Sequence, residues 1–200
     1  MNTFLFSLFA SMLASAIVLI IDRQRLPVLF ITTDNTANDA PTYGERGKWK
    51  FIRAKVMNTK MPLLLSWLPR QTAENCRAMV SFFNEANELL FSMSGRWANT
   101  PELAFLPPNE QIIKVLYPDP VNIIAGKEEI LDVVVMKEGE TEAYGWNNEA
   151  YLNNWKTPKY KLPKGNYKVK IDINTQNGVS FVRTATLEVG ENIETTFFRS

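Results

Sequence analysis

Tyr167-Lys168-Val169-Lys170-Ile171-Asp172-Ile173 alternates apolar and polar side chains. Beyond Asn177-Gly178, the segment Phe181-Val182-Arg183-Thr184-Ala185-Thr186-Leu187-Glu188-Val189 returns with Ala185, Leu187 and Val189 in phase. Successive side chains on a strand point to opposite faces, so this period-two pattern marks a pair of half-buried strands. Asn-Gly between them supplies the positive-φ residues of a tight hairpin turn. The same period recurs through the chain, and no long stretch beyond the N-terminal segment holds a helical apolar period. The sequence therefore predicts a mainly β fold.

Working outward from this hairpin, Cys76, Ala78, Val80 and Phe82 are in one phase and Arg77, Met79 and Ser81 in the other. That strand is predicted to turn at residues 84–87 and return through residues 88–93. Residues 26–31 make a first strand, residues 32–47 a polar loop, and residues 49–57 a strand whose alternation slips between Phe51 and Ile52, the mark of a bulge or of partly two-sided burial. Residues 101–120 hold five prolines. Proline removes a ladder donor, so this stretch is predicted to be a crossing connection with a short strand near residues 111–116. Residues 129–136 and 194–198 complete a count near eight. Short strands punctuated by turns at this spacing predict an immunoglobulin-like antiparallel β-sandwich over residues 26–200.

The N-terminus reads differently. Residues 4–21, FLFSLFASMLASAIVLII, carry no charge and are followed at once by Asp22-Arg23-Gln24-Arg25. Eighteen helical residues rise about 27 Å, close to the ~30 Å hydrocarbon thickness of a bilayer, so residues 1–25 are read as a single transmembrane anchor with its basic flank. A cleaved signal peptide is the competing reading, because Ala14-Ser15-Ala16 resembles a cleavage site. Against it, no basic residue precedes Phe4, and cleavage would leave Ile17-Val18-Leu19-Ile20-Ile21 at the new terminus. Arg23 and Arg25 flank only the C-terminal end of the span. Cytoplasmic flanks carry the excess of basic residues, so the following domain is expected in the cytoplasm, with an extracytoplasmic placement as the alternative.

Composition excludes several chemistries. The chain has no histidine and a single cysteine, Cys76, so imidazole-based nucleophile activation, Cys-x-x-Cys redox work and intrachain disulfides are ruled out. No glycine-rich phosphate loop occurs. Lys+Arg total 22 against Asp+Glu 21, which is not the basic excess of a nucleic-acid binder. Lys156, Lys159, Lys161, Lys164, Lys168 and Lys170 read as a solvated strand edge that discourages edge pairing. Glu138, Glu140 and Glu142, and Asp172 with Asn174, read as solvated turns lacking the spacing of a calcium loop. Cys76 reads as a small buried hydrophobe. No metal, cofactor or catalytic residue is expected.

Two segments stand out as candidate contact surfaces. In residues 144–155 the aromatics Tyr144, Trp146, Tyr151 and Trp155 are interleaved with Asn147, Asn148 and Asn154. Stacking faces beside amides suit a carbohydrate or peptide ligand; alternatively, the segment is a long loop that buries its own rings. In residues 61–69, Leu63, Leu64, Leu65, Trp67 and Leu68 lie between Lys60 and Arg70, where a polar turn would ordinarily sit. This apolar loop is read in three ways: it dips into the membrane interface together with Arg23 and Arg25, packs across the core, or meets a partner.

Arg23, Arg25 and Pro27 after a hydrophobic helix, then Val56-x-Asn58, then Thr72-Ala73-Glu74-Asn75-Cys76-Arg77-Ala78, together resemble uncharacterised prokaryotic membrane-anchored proteins with an immunoglobulin-like sandwich. Leu162-Pro163-Lys164-Gly165-Asn166-Tyr167 is similar to the start of the penultimate hairpin in many such sandwiches. The resemblance covers most of the chain and describes fold, so it implies no catalytic residue. The sequence thus leads to the expectation of a non-catalytic, single-pass interaction or scaffolding module, with the lipid bilayer (through residues 4–21) and a protein as partners. The alternative is an extracytoplasmic ligand binder that uses residues 144–155.

Overall fold

The structure, a computed structural model, describes residues 2–35, 37, 38, 47–101 and 103–199. In chain order the first elements are α1 (Asn2–Arg25), β1 (Leu29–Asp34), β2 (Ala37–Asn38), β3 (Trp49–Asn58), β4 (Ala73–Phe83), β5 (Leu89–Ser94), β6 (Arg96–Trp97) and α2 (Pro108–Leu116). Next come β7 (Val121–Ile123), β8 (Glu128–Lys137), β9 (Ala143–Gly145), α3 (Asn148–Leu152), β10 (Lys161–Leu162), β11 (Gly165–Asn174), β12 (Ser180–Val189) and β13 (Phe197–Arg199).

These strands form two antiparallel sheets. One runs β1-β3-β8-β9-β10, with β2 beside β3 and β6 beside β8; the other runs β13-β12-β11-β4-β5, with β7 beside β4. Both contribute to one cluster of buried side chains, among them Trp49, Ile52, Val56, Leu131 and Val134 from the first sheet and Cys76, Val80, Phe82, Ile171 and Leu187 from the second. The chain passes from the second sheet to the first at Gly95, between β5 and β6.

The alternation of β11 and β4 is realised: Tyr167, Val169, Ile171 and Ile173 are buried, as are Cys76, Ala78, Val80 and Phe82. The two strands pair from Lys168 opposite Phe83 to Asn174 opposite Arg77. The expected slip in β3 is a register shift between Ile52 and Arg53, one residue beyond its predicted place, and Phe51 and Ile52 are consecutively buried beside it.

Several expectations need correction. Residues 111–116 are not a strand but lie in α2, which begins with Pro108 just inside it. Proline excludes a central strand, but at the first helical position its missing donor costs nothing and its fixed φ favours the helix. The Asn177-Gly178 turn is longer than a two-residue hairpin. The last strand pair is Asn174 with Ser180, the Gly178 amide donates to the Thr175 carbonyl (3.1 Å), and Gly178 holds φ 78°. The glycine thus takes the left-handed position that comes after an ordinary turn. Residues 32–47 are not loop throughout, since β1 runs to Asp34 and β2 lies inside that stretch; the remainder of its polar run, residues 36 and 39–46, falls outside the described residues. The last strand starts only at Phe197, because Asn192 Oδ1 accepts from the amides of Glu194 and Thr195 and curls the preceding segment. Among the described residues thirteen strands, several of two or three residues, replace the predicted count near eight.

Candidate functional site at the end of the apolar helix

α1 contains one stretch, Ser7–Arg25, long and apolar enough to cross a membrane by length and composition. Its 19 residues have a mean hydropathy of 1.4, and none of the apolar window is buried against the rest of the chain. The helix runs without interruption through Asp22 to Arg25, and Pro27, two residues on, is already buried.

A clamp holds the C-terminal end of this helix. The Arg25 carbonyl accepts from the Gln71 amide (2.8 Å), and Arg25 Nε donates to the Pro69 carbonyl (3.0 Å). One residue on, the Leu26 carbonyl accepts from an Arg70 guanidinium nitrogen (2.7 Å). Burial lowers the Arg70 pKa, as expected for a cation drawn against the chain. Thus both strands of the join, residues 25–26 and 69–71, are stitched together where the helix ends.

Asn58 organises the layer above. Fully buried at the end of β3, its Nδ2 donates to the carbonyls of Gln71 (2.9 Å) and Ile123 (2.9 Å), and its Oδ1 accepts from the Val28 amide (3.2 Å). Its backbone closes the 124–127 turn, accepting from the Gly126 amide and donating to the Lys127 carbonyl. A single amide therefore ties the start of β1, the end of the 61–70 loop and the end of β7. The sequence placed Asn58 only within a resemblance motif; its hydrogen-bond partners lie too far along the chain for spacing to reveal them.

The 61–70 loop hangs from this clamp. Leu63–Leu65 form one 3₁₀ turn, and the amides of Leu65, Ser66 and Leu68 bond back to the carbonyls of Pro62, Leu63 and Leu65. Met61 is buried and fixes one root of the loop, while Leu65 and Leu68 are half-buried. Leu63, Leu64 and Trp67 are 89%, 90% and 71% exposed. Of the three readings of this loop, packing across the core does not describe these three side chains. Arg23 is exposed and Arg25 half-buried.

The 144–155 segment lies toward the opposite end, beside the Trp49 end of β3. Tyr144, Trp146, Asn147, Asn148, Tyr151 and Trp155 are all buried, and Asn154 alone of the candidate residues is exposed. Trp155 meets Trp49 edge-on at 4.9 Å and Tyr144 at 5.3 Å, while Trp146 packs against Phe51 at 5.7 Å. Asn147 caps α3 by accepting from the Ala150 amide (2.8 Å), and Asn148 donates to the Lys114 carbonyl and accepts from Arg96 (2.7 Å). The rings pack into the core and the two buried amides hold backbone and Arg96, so in this conformation they form no open stacking face.

The remaining candidates are also occupied. Lys156 pairs with Glu140, Lys159 with Glu149, Lys161 with Glu142, Lys164 with Glu191 and Lys170 with Asp172. The hydrogen bond from Lys161 holds the Glu142 carboxyl below its ordinary range. Asp132 is buried between Arg53, 2.7 Å away, and Arg96; desolvation raises its pKa and the two guanidinium groups pull it back. Among the described residues, no group of three or more Cys, Asp or Glu side chains is placed to hold a metal ion. Compared with protein-family models, curated proteins and solved structures, the chain matches none of them.

Proposed function

We propose that the chain is a non-catalytic, membrane-anchored interaction or scaffolding module: an immunoglobulin-like sandwich held at the cytoplasmic face of a membrane by α1. The single observation that carries this reading is the join. An apolar helix with no face packed on the domain ends where residues 25 and 26 are hydrogen-bonded with residues 69–71, with no flexible linker between them. A signal peptide destined for removal has no need of such a clamp, whereas a permanent anchor that carries its domain at a fixed distance from the bilayer does.

The sandwich assignment is supported by two antiparallel sheets that share one buried cluster. The interaction role is supported by apolar side chains on and beside α2 that the fold leaves uncovered, notably Phe105, Ile112, Leu116 and Tyr117. The cytoplasmic side is supported by Arg23 and Arg25 at the C-terminal flank. A phosphatase reporter, active only outside the cytoplasm, and a fluorescent reporter, bright only inside it, test this reading when fused in turn to the C-terminus. The expected pattern is a silent phosphatase and a bright fluorophore in the membrane fraction. The reverse pattern overturns the cytoplasmic placement, and release of either fusion into the soluble fraction overturns the anchor.

A further inference from the structure

We infer that the Leu63, Leu64 and Trp67 tip is a lipid-docking surface that seats the domain on the same bilayer α1 crosses; this rests on the reading of α1 as a membrane anchor. The argument begins with depth. The uncharged segment ends at Ile21, and Arg25 lies four helical residues further, about 6 Å along the axis. The headgroup layer on each side of a bilayer is roughly 5–8 Å thick. Pro69 and Gln71 are hydrogen-bonded to Arg25, so the root of the loop is fixed within the headgroup layer.

The chemistry of the tip suits that depth. Two leucines and a tryptophan are exposed on a protein whose other tryptophans, Trp49, Trp97, Trp146 and Trp155, are all buried. Tryptophan beside aliphatic side chains is the residue set of an interfacial segment. The backbone is prepared for a medium poor in water, since the amides of Leu65, Ser66 and Leu68 are already satisfied within the loop. Exposed Lys60 flanks the tip, and exposed Ile124 lies on the neighbouring turn with exposed Lys127, where the Lys60 side chain packs against Gly126. Basic groups suited to lipid phosphates thus lie beside an exposed apolar tip. Continuity with α1 selects lipid as the occupant, because a protein partner would have to displace the bilayer surface that the clamp brings to this loop.

Because the other four tryptophans are buried, Trp67 can be read by collisional quenching of the whole protein. The full chain is reconstituted into phosphatidylcholine vesicles, with and without bromine on the upper acyl chain, and floated on a density gradient. The expected result is flotation with the vesicles, quenching of a blue-shifted component by brominated lipid, and little quenching by aqueous iodide. Trp67→Phe should abolish the lipid-dependent component and leave the emission of the buried tryptophans unchanged. A Leu63→Ser, Leu64→Ser double variant should shift quenching of Trp67 from lipid toward iodide without changing that buried emission, because neither leucine supports the fold. Flotation with Trp67 open to iodide and untouched by brominated lipid overturns the docking surface and leaves the anchor standing. Shielding from both quenchers means that protein covers the tip, and also overturns it. Failure to float overturns the anchor and the docking surface together.

Discussion

Asn58 carries much of the structure at the end of the domain next to α1, because its amide satisfies two carbonyls and one backbone amide from three segments. Asn58→Ala leaves these groups without partners in a buried site. At about 1–3 kcal/mol for each unsatisfied group, offset by partial relaxation, the loss should be about 3 kcal/mol. For a domain of this size that corresponds to a fall of roughly 6–12 °C in Tm, measurable by thermal unfolding of the detergent-solubilised chain. A fall under about 2 °C would show that water or local rearrangement replaces the amide. Cys76 makes a prediction of opposite character, carried by a proton. Burial pushes its thiol from the ordinary 9.0 up to about 11. The folded chain therefore keeps the proton over a range in which the unfolded chain has lost it. Stability from this group is complete below pH 9 and declines between pH 9 and 11, by about 2–3 kcal/mol in all. Cys76→Ala removes that term, so the stability difference between wild type and variant should shift across this window; a difference independent of pH would mean the thiol ionises freely in the fold. The burial of Cys76 was legible in sequence from its phase with Val80 and Phe82, a local property. The role of Asn58 was not, because its side-chain partners are 13, 30 and 65 residues away.

Among the elements, period two identified β4 and β11, where burial alternates along much of the strand and the tertiary environment reinforces the local preference; β12 kept the pattern although only Leu187 and Val189 are buried, and β8 was legible from its continuous apolar run, which is buried on both faces. Periodicity failed where elements are short. α2 places Ile112, Ile113, Val115 and Leu116 at helical spacing, but over only nine residues, too few for that period to be told from a strand's. Its real signal was Pro107-Pro108 followed by Glu110, a helix start that also reads as a strand breaker. Likewise β6 is two residues long, and no periodicity exists in so short a segment. Its position depends on Gly95, where the chain changes sheets: a Cβ built there would sit 2.7 Å from both Ala78 Cβ and Leu131 Cδ1, one from each sheet. The Gly95 amide also donates to the Ala78 carbonyl (2.8 Å), so the backbone cannot retreat cheaply. Gly95→Ala should therefore cost about 1–3 kcal/mol through overpacking. Pairing it with Leu131→Val, which shortens the side chain that the new methyl meets, should recover part of that loss. Unfolding of the two single variants and the double variant measures the coupling; strict additivity would show that the methyl is accommodated elsewhere.

For the whole molecule the decisive quantity is the relation between α1 and the domain, and here Arg23 and Arg25 are not equivalent. The Arg25 side chain is bonded to Pro69, whereas Arg23 is exposed. Moving both to the other flank would invert the charge bias but would also cut the clamp, so a change of topology could not be separated from damage to the join. Asn2→Lys with Thr3→Lys and Arg23→Ser reverses the bias, placing two basic residues before the span against one after it, while leaving every hydrogen bond of the join in place. Orientation follows the excess of Lys and Arg near the ends of a span, so this triple variant should place a measurable fraction of the C-terminus outside the cytoplasm, read as a gain of phosphatase reporter activity. A complementary change tests the join itself. Inserting a Gly-Ser segment between Arg25 and Leu26 keeps the span and its charges but separates the two hydrogen-bonded residues by a flexible chain, which allows the domain to swing away from the bilayer. The inserted variant should remain in the membrane fraction with unchanged reporter polarity, and Trp67 should become more accessible to aqueous quencher. On the proposed anchoring, the two variants separate the charge bias, expected to set the side of the membrane, from the hydrogen-bonded join, expected to set the distance at which the domain is held. Unchanged polarity in the triple variant would remove charge bias as the determinant of orientation, and unchanged Trp67 accessibility in the insertion variant would show that the hydrogen bonds to residues 25 and 26 do not set the height of the domain.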